Sequence, residues 1–412
     1  MGARRAALRL LDAVLRRGQP LESALKSATA DLDNPADRGL AHALAATVLR
    51  WLPDIDALID SATRQPLPDD AKARMALRIA LAQSLRLGTP GHAAIATVLP
   101  LVDGGPRKLV HGVFGTLDRK GAKLVESPSL PPSVQLRWDK AWGADMTAAA
   151  AAALAEPPPL DLTLKDLAAT SDWAAQLGGA SLMPGHVRLP FGARIEDLPG
   201  FAEGAWWVQD LSASLPARLL DAKPGDTALD LCAAPGGKTM QLASVGARVT
   251  AVEANPNRLA RLRENLKRTG LAADLLQADI MKWQPDGQFD HVLLDAPCSA
   301  TGIFRRHPDV LYRVRPSDIV QLAATQAAML QRAAQWVKPG GTLIYCVCSL
   351  EPEEGEGQID ALESLGLRVE TIAAGALPAG LPTDASGCIR TLPGMVEGGL
   401  DGFFIARLRR TD

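Results

Sequence analysis

Ala228-Leu229-Asp230-Leu231-Cys232-Ala233-Ala234-Pro235-Gly236-Gly237-Lys238-Thr239 runs from a short apolar segment through a glycine-rich turn into a helical pattern. Glycine lets backbone approach a bound group closely, so a buried strand opening into a helix this way reads as a ligand-binding turn. Outward from it the pattern alternates. Strands are predicted at 228–231, 248–253, 273–277, 291–294, 342–347, 367–372 and 402–408, with helices at 238–245, 257–269, 317–337 and 352–365. Pro316 starts the long helix, and Pro339-Gly340-Gly341 ends it. The alternation implies an α/β Rossmann-like domain over 205–412, with a mostly parallel sheet covered by helices. Ligands in such a fold bind at the carboxyl ends of the strands.

The chain before that domain reads differently. Residues 1–125 show apolar spacings of three and four, punctuated by Asn34-Pro35, Pro66-Leu67-Pro68 and Gly88-Thr89-Pro90-Gly91. No strand alternation interrupts them, so an all-α bundle is expected. Residues 126–204 form a connector: a helix through Trp138, Trp142 and the alanine run, closed by Pro157-Pro158-Pro159, then a small α+β segment opened by Leu160-Asp161-Leu162-Thr163-Leu164.

The net charge of −2 conceals an asymmetry: residues 1–125 carry 18 Lys+Arg against 12 Asp+Glu, and the remainder 26 against 34. A basic N-terminal module could supply phosphate attraction. The arginine-rich start reads as a helix, since Leu8, Leu11 and Leu15 recur at helical spacing and Asp12 interrupts the basic run. The five cysteines lack framework spacing, the six histidines are scattered, and no apolar run is long enough for a bilayer. A reduced cytoplasmic setting, no metal, no membrane span and a monomer are expected.

Three ligands compete for the glycine turn. A phosphate-binding loop needs G-x-x-x-x-G-K-[ST]; Gly237-Lys238-Thr239 fits, but Cys232 stands where the first glycine belongs. The G-x-G-x-x-G dinucleotide spacing is absent. A nucleoside cofactor without phosphates, such as S-adenosyl-L-methionine, fits a turn formed by Cys232, Ala233, Ala234, Pro235, Gly236, Gly237 and Lys238. Glu253 ends the second strand, where an acid would accept ribose hydroxyls, and Asp279 follows the third, where it could accept from an adenine amino group.

Cys298, in Asp295-Ala296-Pro297-Cys298-Ser299, and Cys348, in Tyr345-Cys346-Val347-Cys348-Ser349, each follow an apolar run. Two thiols at strand ends suggest stepwise covalent chemistry on an electron-poor ring. Spacing alone does not choose which one attacks. Cys232 and Cys346 read as small packing residues, and Cys388 as a loop thiol.

These motifs, with Ala300-Thr301-Gly302 after the first and Asp401-Gly402-Phe403-Phe404 near the end, resemble the RNA cytosine-5 methyltransferases. Asp37-Arg38-Gly39-Leu40-Ala41, Val48-Leu49-Arg50-Trp51 and Leu85-Arg86-Leu87-Gly88 resemble the NusB-like RNA-binding domain. Together they are similar to the Sun/Fmu (RsmB) class acting on small-subunit ribosomal RNA. Departures are Glu253 where Asp is commoner, Cys346 at a small-residue position, and Lys165, which puts the connector's RNA contacts in question. The resemblance implies attack by Cys348 on carbon 6, product release aided by Cys298, and Asp295 near the base edge and the cofactor. Lys238 would contact the cofactor carboxylate or orient the base. Arg305, Arg306 and His307, with Arg313 and Arg315 beyond them, are expected at phosphates beside an extruded cytosine. Trp206 and Trp207 are expected in the core or a cofactor lid. A non-catalytic assembly factor and a transfer-RNA methyltransferase are the rival readings; a DNA enzyme is not favoured, since no Glu-Asn-Val follows the Pro-Cys motif.

Overall fold

The computed structural model describes residues 2–411. The chain divides into two compact units, Met1–Glu156 with Phe304–Val314, and Pro157–Ile303 with Arg315–Asp412.

The first unit is helical: α1 (Gly2–Leu15), α2 (Leu21–Ala28), α3 (Pro35–Arg50), α4 (Leu52–Ser61), α5 (Lys72–Leu85), α6 (Gly91–Val98), α7 (Gly104–Arg119), α8 (Pro132–Trp142) and α9 (Ala144–Leu154). The expected boundary at residue 125 falls inside it. The Asn34-Pro35 break is a helix start: the Asn34 side chain accepts from the Ala36 amide at 2.9 Å, and Pro35 supplies a first-turn φ. The single helix expected through the alanine run is two, separated by Gly143 at φ +83°.

Helix α5 is buried from Ala73 to Gln83, including two arginines. Arg78 makes a two-pronged contact with Asp56 (2.8 and 2.7 Å), and Arg74 reaches Asp60 at 2.8 Å. Arg50 is buried as well and donates to the Leu154 and Arg305 carbonyls at 2.9 and 2.6 Å. Part of the basic surplus is therefore consumed inside the unit. Arg86 lies over the Trp51 ring at 4.4 Å, so two of the motif residues meet in a cation–π contact.

Residues 304–314 are part of this helical core. Phe304 packs on Trp138 with ring centroids 5.3 Å apart, the Tyr312 hydroxyl donates to the Leu49 carbonyl at 2.8 Å, and Asp309 accepts from the Leu21 amide at 3.3 Å. Arg305 is only 2% exposed, so it departs from the phosphate-contacting role expected of it; Arg306 and His307 are half-buried.

The second unit begins with an antiparallel sheet of β1 (Leu160–Leu164), β2 (His186–Leu189) and β3 (Trp206–Val208), in the order β2-β1-β3. Helix α10 (Thr170–Leu177) connects its first two strands. Asp161 sits buried between Arg188 (2.7 and 2.8 Å) and His186 (3.3 Å); burial alone would raise its pKa, but the hydrogen bonds from Arg188 and His186 hold it well below the carboxylate range. Trp206 and Trp207 are buried, and Lys165 donates to the Thr269 carbonyl at 2.7 Å.

The main sheet contains β4 (Thr227–Leu231), β5 (Arg248–Glu253), β6 (Asp274–Gln277), β7 (Phe289–Asp295), β8 (Val337–Val347), β9 (Leu367–Val369), β10 (Ile389–Thr391) and β11 (Phe403–Arg410). Its order is β10-β11-β8-β7-β4-β5-β6, with β9 on β11; pairings among β4 to β8 are parallel and those of β9, β10 and β11 antiparallel. Alternate residues face opposite layers. Leu229, Val292, Leu343 and Tyr345 pack with the helix Pro316–Gln335, while Ala228, Leu293 and Ile344 pack with α11 (Leu211–Leu219) and α12 (Gly237–Ser244). Helix α13 (Pro256–Thr269) covers β5 through Leu259, Leu262 and Leu266.

The helix expected over 352–365 is replaced by three short 3-10 turns at Pro352–Glu354, Glu356–Gln358 and Glu363–Leu365. Gly355 and Gly357 weaken a helix there, and the Tyr345 hydroxyl ties the Glu354 carbonyl to the sheet at 2.5 Å. Strand β10 lies in a stretch where no strand was expected.

Removing one member of a buried ion pair leaves the other uncompensated, so Arg78→Ala should destabilise the helical unit by about 3 kcal/mol in urea denaturation. A loss within error of zero would show that water reaches Asp56 freely.

Candidate active site

Parallel pairing brings five strand ends to one edge. Leu231 pairs with Val252 and with Leu294, and Asp295 pairs with Cys346. Beyond these ends lie Cys232, Glu253, Asp279, Asp295, Cys298 and Cys348, which together line one cavity of about 460 Å³. The sheet order reverses between β4 and β7, so this cavity occupies the topological switch point.

The glycine turn is built on backbone conformations that a side chain would oppose. Gly236 has φ +107°, and a Cβ there would lie 2.2 Å from Leu262 of α13. Cys232, at φ +62°, is the residue of the turn that lines the cavity; Ala233, Ala234 and Gly236 are packed behind it. Burial pushes the Cys232 thiol up to about 12, which suits a packing residue. Asp230 is buried and accepts from the Thr239 hydroxyl at 2.5 Å. Burial pushes its carboxyl up to about 7, against the opposing effects of Thr239 and Lys238.

Lys238 points toward the base of the site, not into the cavity. Its Nζ donates to Asp295 Oδ2 at 2.8 Å and lies 5.5 Å from the Phe403 ring centroid. Burial alone would lower its pKa, but Asp295 and neighbouring negative groups outweigh that and raise it. The Lys238–Asp295 pair orients the Asp295 carboxylate. Its other oxygen accepts from the Cys346 thiol at 3.5 Å, while burial and then the Asp295 charge hold that thiol well above its ordinary pKa. Cys346 is wholly buried, as a packing residue should be; Cys388, expected as a loop thiol, is buried as well, in the core just before β10.

The two remaining thiols face each other, with Cys298 Sγ and Cys348 Sγ 3.4 Å apart. Contact with Cys348, then burial, push the Cys298 thiol well above its ordinary range. The loops carrying them are locked together: the Gly302 amide donates to the Cys348 carbonyl at 3.0 Å, and Gly402 donates to Gly302 at 2.8 Å. A Cβ on Gly302 would sit 1.9 Å from the Gly402 oxygen, so the crossing requires glycine.

The donor set suits a nucleoside. Glu253 accepts from the Asn255 amide at 2.9 Å through Oε1, while buried Oε2 has no hydrogen-bond partner and lies 3.5 Å from Arg258. That leaves an acceptor available to a sugar hydroxyl. Asp279 is held by the Met281 amide at 2.9 Å. Arg258, which also lines the cavity and donates to the Ala234 carbonyl, was not singled out from sequence. Its position in the first turn of α13, just after Glu253, was the available signal. Among the described residues no group of His, Cys, Asp and Glu could hold a metal ion, and no helix is long and apolar enough to cross a membrane.

A sheet of this order with this cavity at its switch point fits the S-adenosylmethionine-dependent methyltransferases, and the family match places the chain in that class. Residues 217–409 match the 16S rRNA methyltransferase RsmB/F family, and residues 1–113 match the NusB family. Ribosomal RNA small subunit methyltransferase B from Klebsiella pneumoniae subsp. pneumoniae is 35% identical, over 98% of this chain and 97% of its own. The crystal structure of PH0851 superposes with a TM-score of 0.76 at 23% identity, covering 98% and 99% of the two chains. That of NSun6 from Pyrococcus horikoshii with SFG has a TM-score of 0.60 at 20% identity, covering 68% of this chain and 98% of its own. The chain belongs to the ribosomal RNA small subunit methyltransferase B family.

The Asp230 carboxyl binds its proton more tightly folded than unfolded, so its contribution to stability falls as pH rises from about 4 to about 7. In Asp230→Asn, the stability lost between pH 5 and pH 8 should be smaller than in the parent by about 2–3 kcal/mol. Identical losses in chemical denaturation would refute a raised proton affinity at this carboxyl.

Proposed function

We propose that the protein methylates carbon 5 of a cytosine in RNA, with 16S ribosomal RNA as the substrate. The observation that carries this reading is the pair of thiols, 3.4 Å apart, lining the same cavity as Glu253 and Asp279. The relative from Klebsiella and the matched family both carry small-subunit ribosomal RNA in their names, which supports the substrate.

S-adenosylmethionine, when bound, supplies an electrophilic methyl group. Glu253 would hold the ribose, Asp279 the adenine side, and the turn from Cys232 to Lys238 the remainder. Carbon 5 of cytosine is a weak nucleophile until the ring is activated. The Cys348 thiolate adds at carbon 6, forming an S–C bond and pushing an electron pair toward carbon 5 as N3 takes a proton. Asp295, held by Lys238, presents its carboxyl to the amine and N3 edge. After carbon 5 is alkylated, a base takes the carbon-5 proton and N3 gives back the proton it gained, so the electron pair returns to the ring, the S–C bond breaks and Cys348 leaves as thiolate.

The raised proton affinity of Cys298 supports a division of labour. Contact with Cys348 and burial hold the proton on Cys298 at neutral pH, within 3.4 Å of the Cys348 sulfur. At the same distance, Cys298 is the group best situated to assist departure of that sulfur. Arg306 and His307 are the remaining candidates of their motif for phosphate contact. Burial lowers the His307 pKa, so at neutral pH it would act as a neutral donor.

With labelled cofactor and unmethylated 16S RNA, Cys348→Ala should lose both methyl transfer and covalent attachment. Cys298→Ala should accumulate a denaturant-resistant protein–RNA adduct, seen as a slow-migrating band. Adduct from Cys348→Ala but none from Cys298→Ala would reverse the two roles.

A further inference from the structure

Glu354 lies outside the cavity, six positions after Cys348, and is 0% exposed. Among the described residues it forms no ion pair. Hydrogen-bond donors satisfy its carboxylate instead. Oε1 accepts from the Ser299 amide and from Gln326 Nε2, each at 2.9 Å. Oε2 accepts from the Ser349 hydroxyl at 2.5 Å and from the Ser299 hydroxyl. Ser299 directly follows Cys298, and Ser349 directly follows Cys348. One carboxylate oxygen therefore joins the residues next to both thiols. Gln326 Nε2 also donates to the Pro297 carbonyl at 2.9 Å, so Cys298 is gripped on both sides.

A buried carboxylate without a counter-ion is costly, and this one is tolerated because four donors converge on it. Those donors come from three separate segments: the Cys298 loop, the Cys348 loop and the long helix. Replacing the acid with an apolar residue would leave the buried serine hydroxyls and the Ser299 amide short of an acceptor.

We propose that Glu354 is a positioning residue whose carboxylate sets the separation of Cys298 and Cys348 through the serines that follow them. The inference deepens the two-thiol reading above, and its geometric part can be read without RNA. Reach should matter more than charge. A glutamine can keep its carbonyl oxygen at the Oε1 position and donate from Nε2 to both hydroxyls, which can rotate to accept. An aspartate is one methylene too short to span both loops.

The test compares Glu354→Gln, Glu354→Asp and Glu354→Ala with the parent, each checked for folding by thermal melting. Treatment with diamide, followed by peptide mass spectrometry, reads the rate of Cys298–Cys348 disulfide formation. That rate should fall roughly tenfold in the Asp and Ala variants and stay near the parent's in the Gln variant. With RNA and cofactor, kcat should fall about 100-fold in the same two variants while KM for the cofactor holds, and the Gln variant should recover most of kcat. If Glu354→Ala does not fold, Ser349→Ala removes a single grip and should slow cross-linking in the same sense. Unchanged cross-linking and kcat in a folded Asp or Ala variant would overturn the proposal. Slowed cross-linking alongside a parent protein inactive on RNA would leave the positioning role standing and sink the functional reading instead.

Discussion

The parallel pairing of β4, β7 and β8 is the constraint on which the site depends. Parallel neighbours end at the same edge, so groups far apart in the chain become neighbours once the register is set. Asp295 and Cys346 are register partners, and each strand needs only a few more residues to deliver its thiol. Cys298 and Cys348 are 50 positions apart, yet their sulfurs meet at 3.4 Å. The reversal of strand order between β4 and β7 opens a crevice at that same edge. A one-residue slip in β8 would turn Cys346 and Cys348 toward the other face and remove the pair.

Buried charge is handled differently in the two units. In the helical unit, Arg74 and Arg78 lie inside α5 and are matched by Asp56 and Asp60 from α4. At the edge of the main sheet, Asp295 is matched by Lys238, whereas Glu354 has neutral donors only. The first arrangement holds helices together. The second orients an acid at the cavity, and the third ties two loops. Removing an acceptor leaves Arg74, Arg78 or Lys238, or the serines around Glu354, buried without it, a cost that hydrophobicity does not capture.

Much of the catalytic unit was legible because parallel strands buried on both faces read as apolar runs between amphipathic helices. The strands ending at Glu253 and Asp295 and the turn from Cys232 to Lys238 follow directly from such runs. The helix expected over 352–365 shows the limit of that reading. Its apolar and polar spacing is compatible with a helix, but Tyr345 and the serines draw Glu354 inward and break it into short turns. Arg305 shows the same limit. A run of Arg-Arg-His after a catalytic loop looks solvent-facing, yet its segment folds into the helical core around Phe304 and Tyr312.

Local chemistry by itself determined which residues could do the work: a glycine turn shaped for close approach, acids at successive strand ends, and two thiols after apolar runs. These depend on residue type and short spacing, which the chain displays directly. Only the tertiary structure decided how they are coupled. The partnership of Lys238 with Asp295, the burial of Arg305, and the reach of Glu354 to the Cys298 loop and the long helix all join positions separated by many residues. Such contacts arise from strand register and helix packing, and no local pattern encodes them.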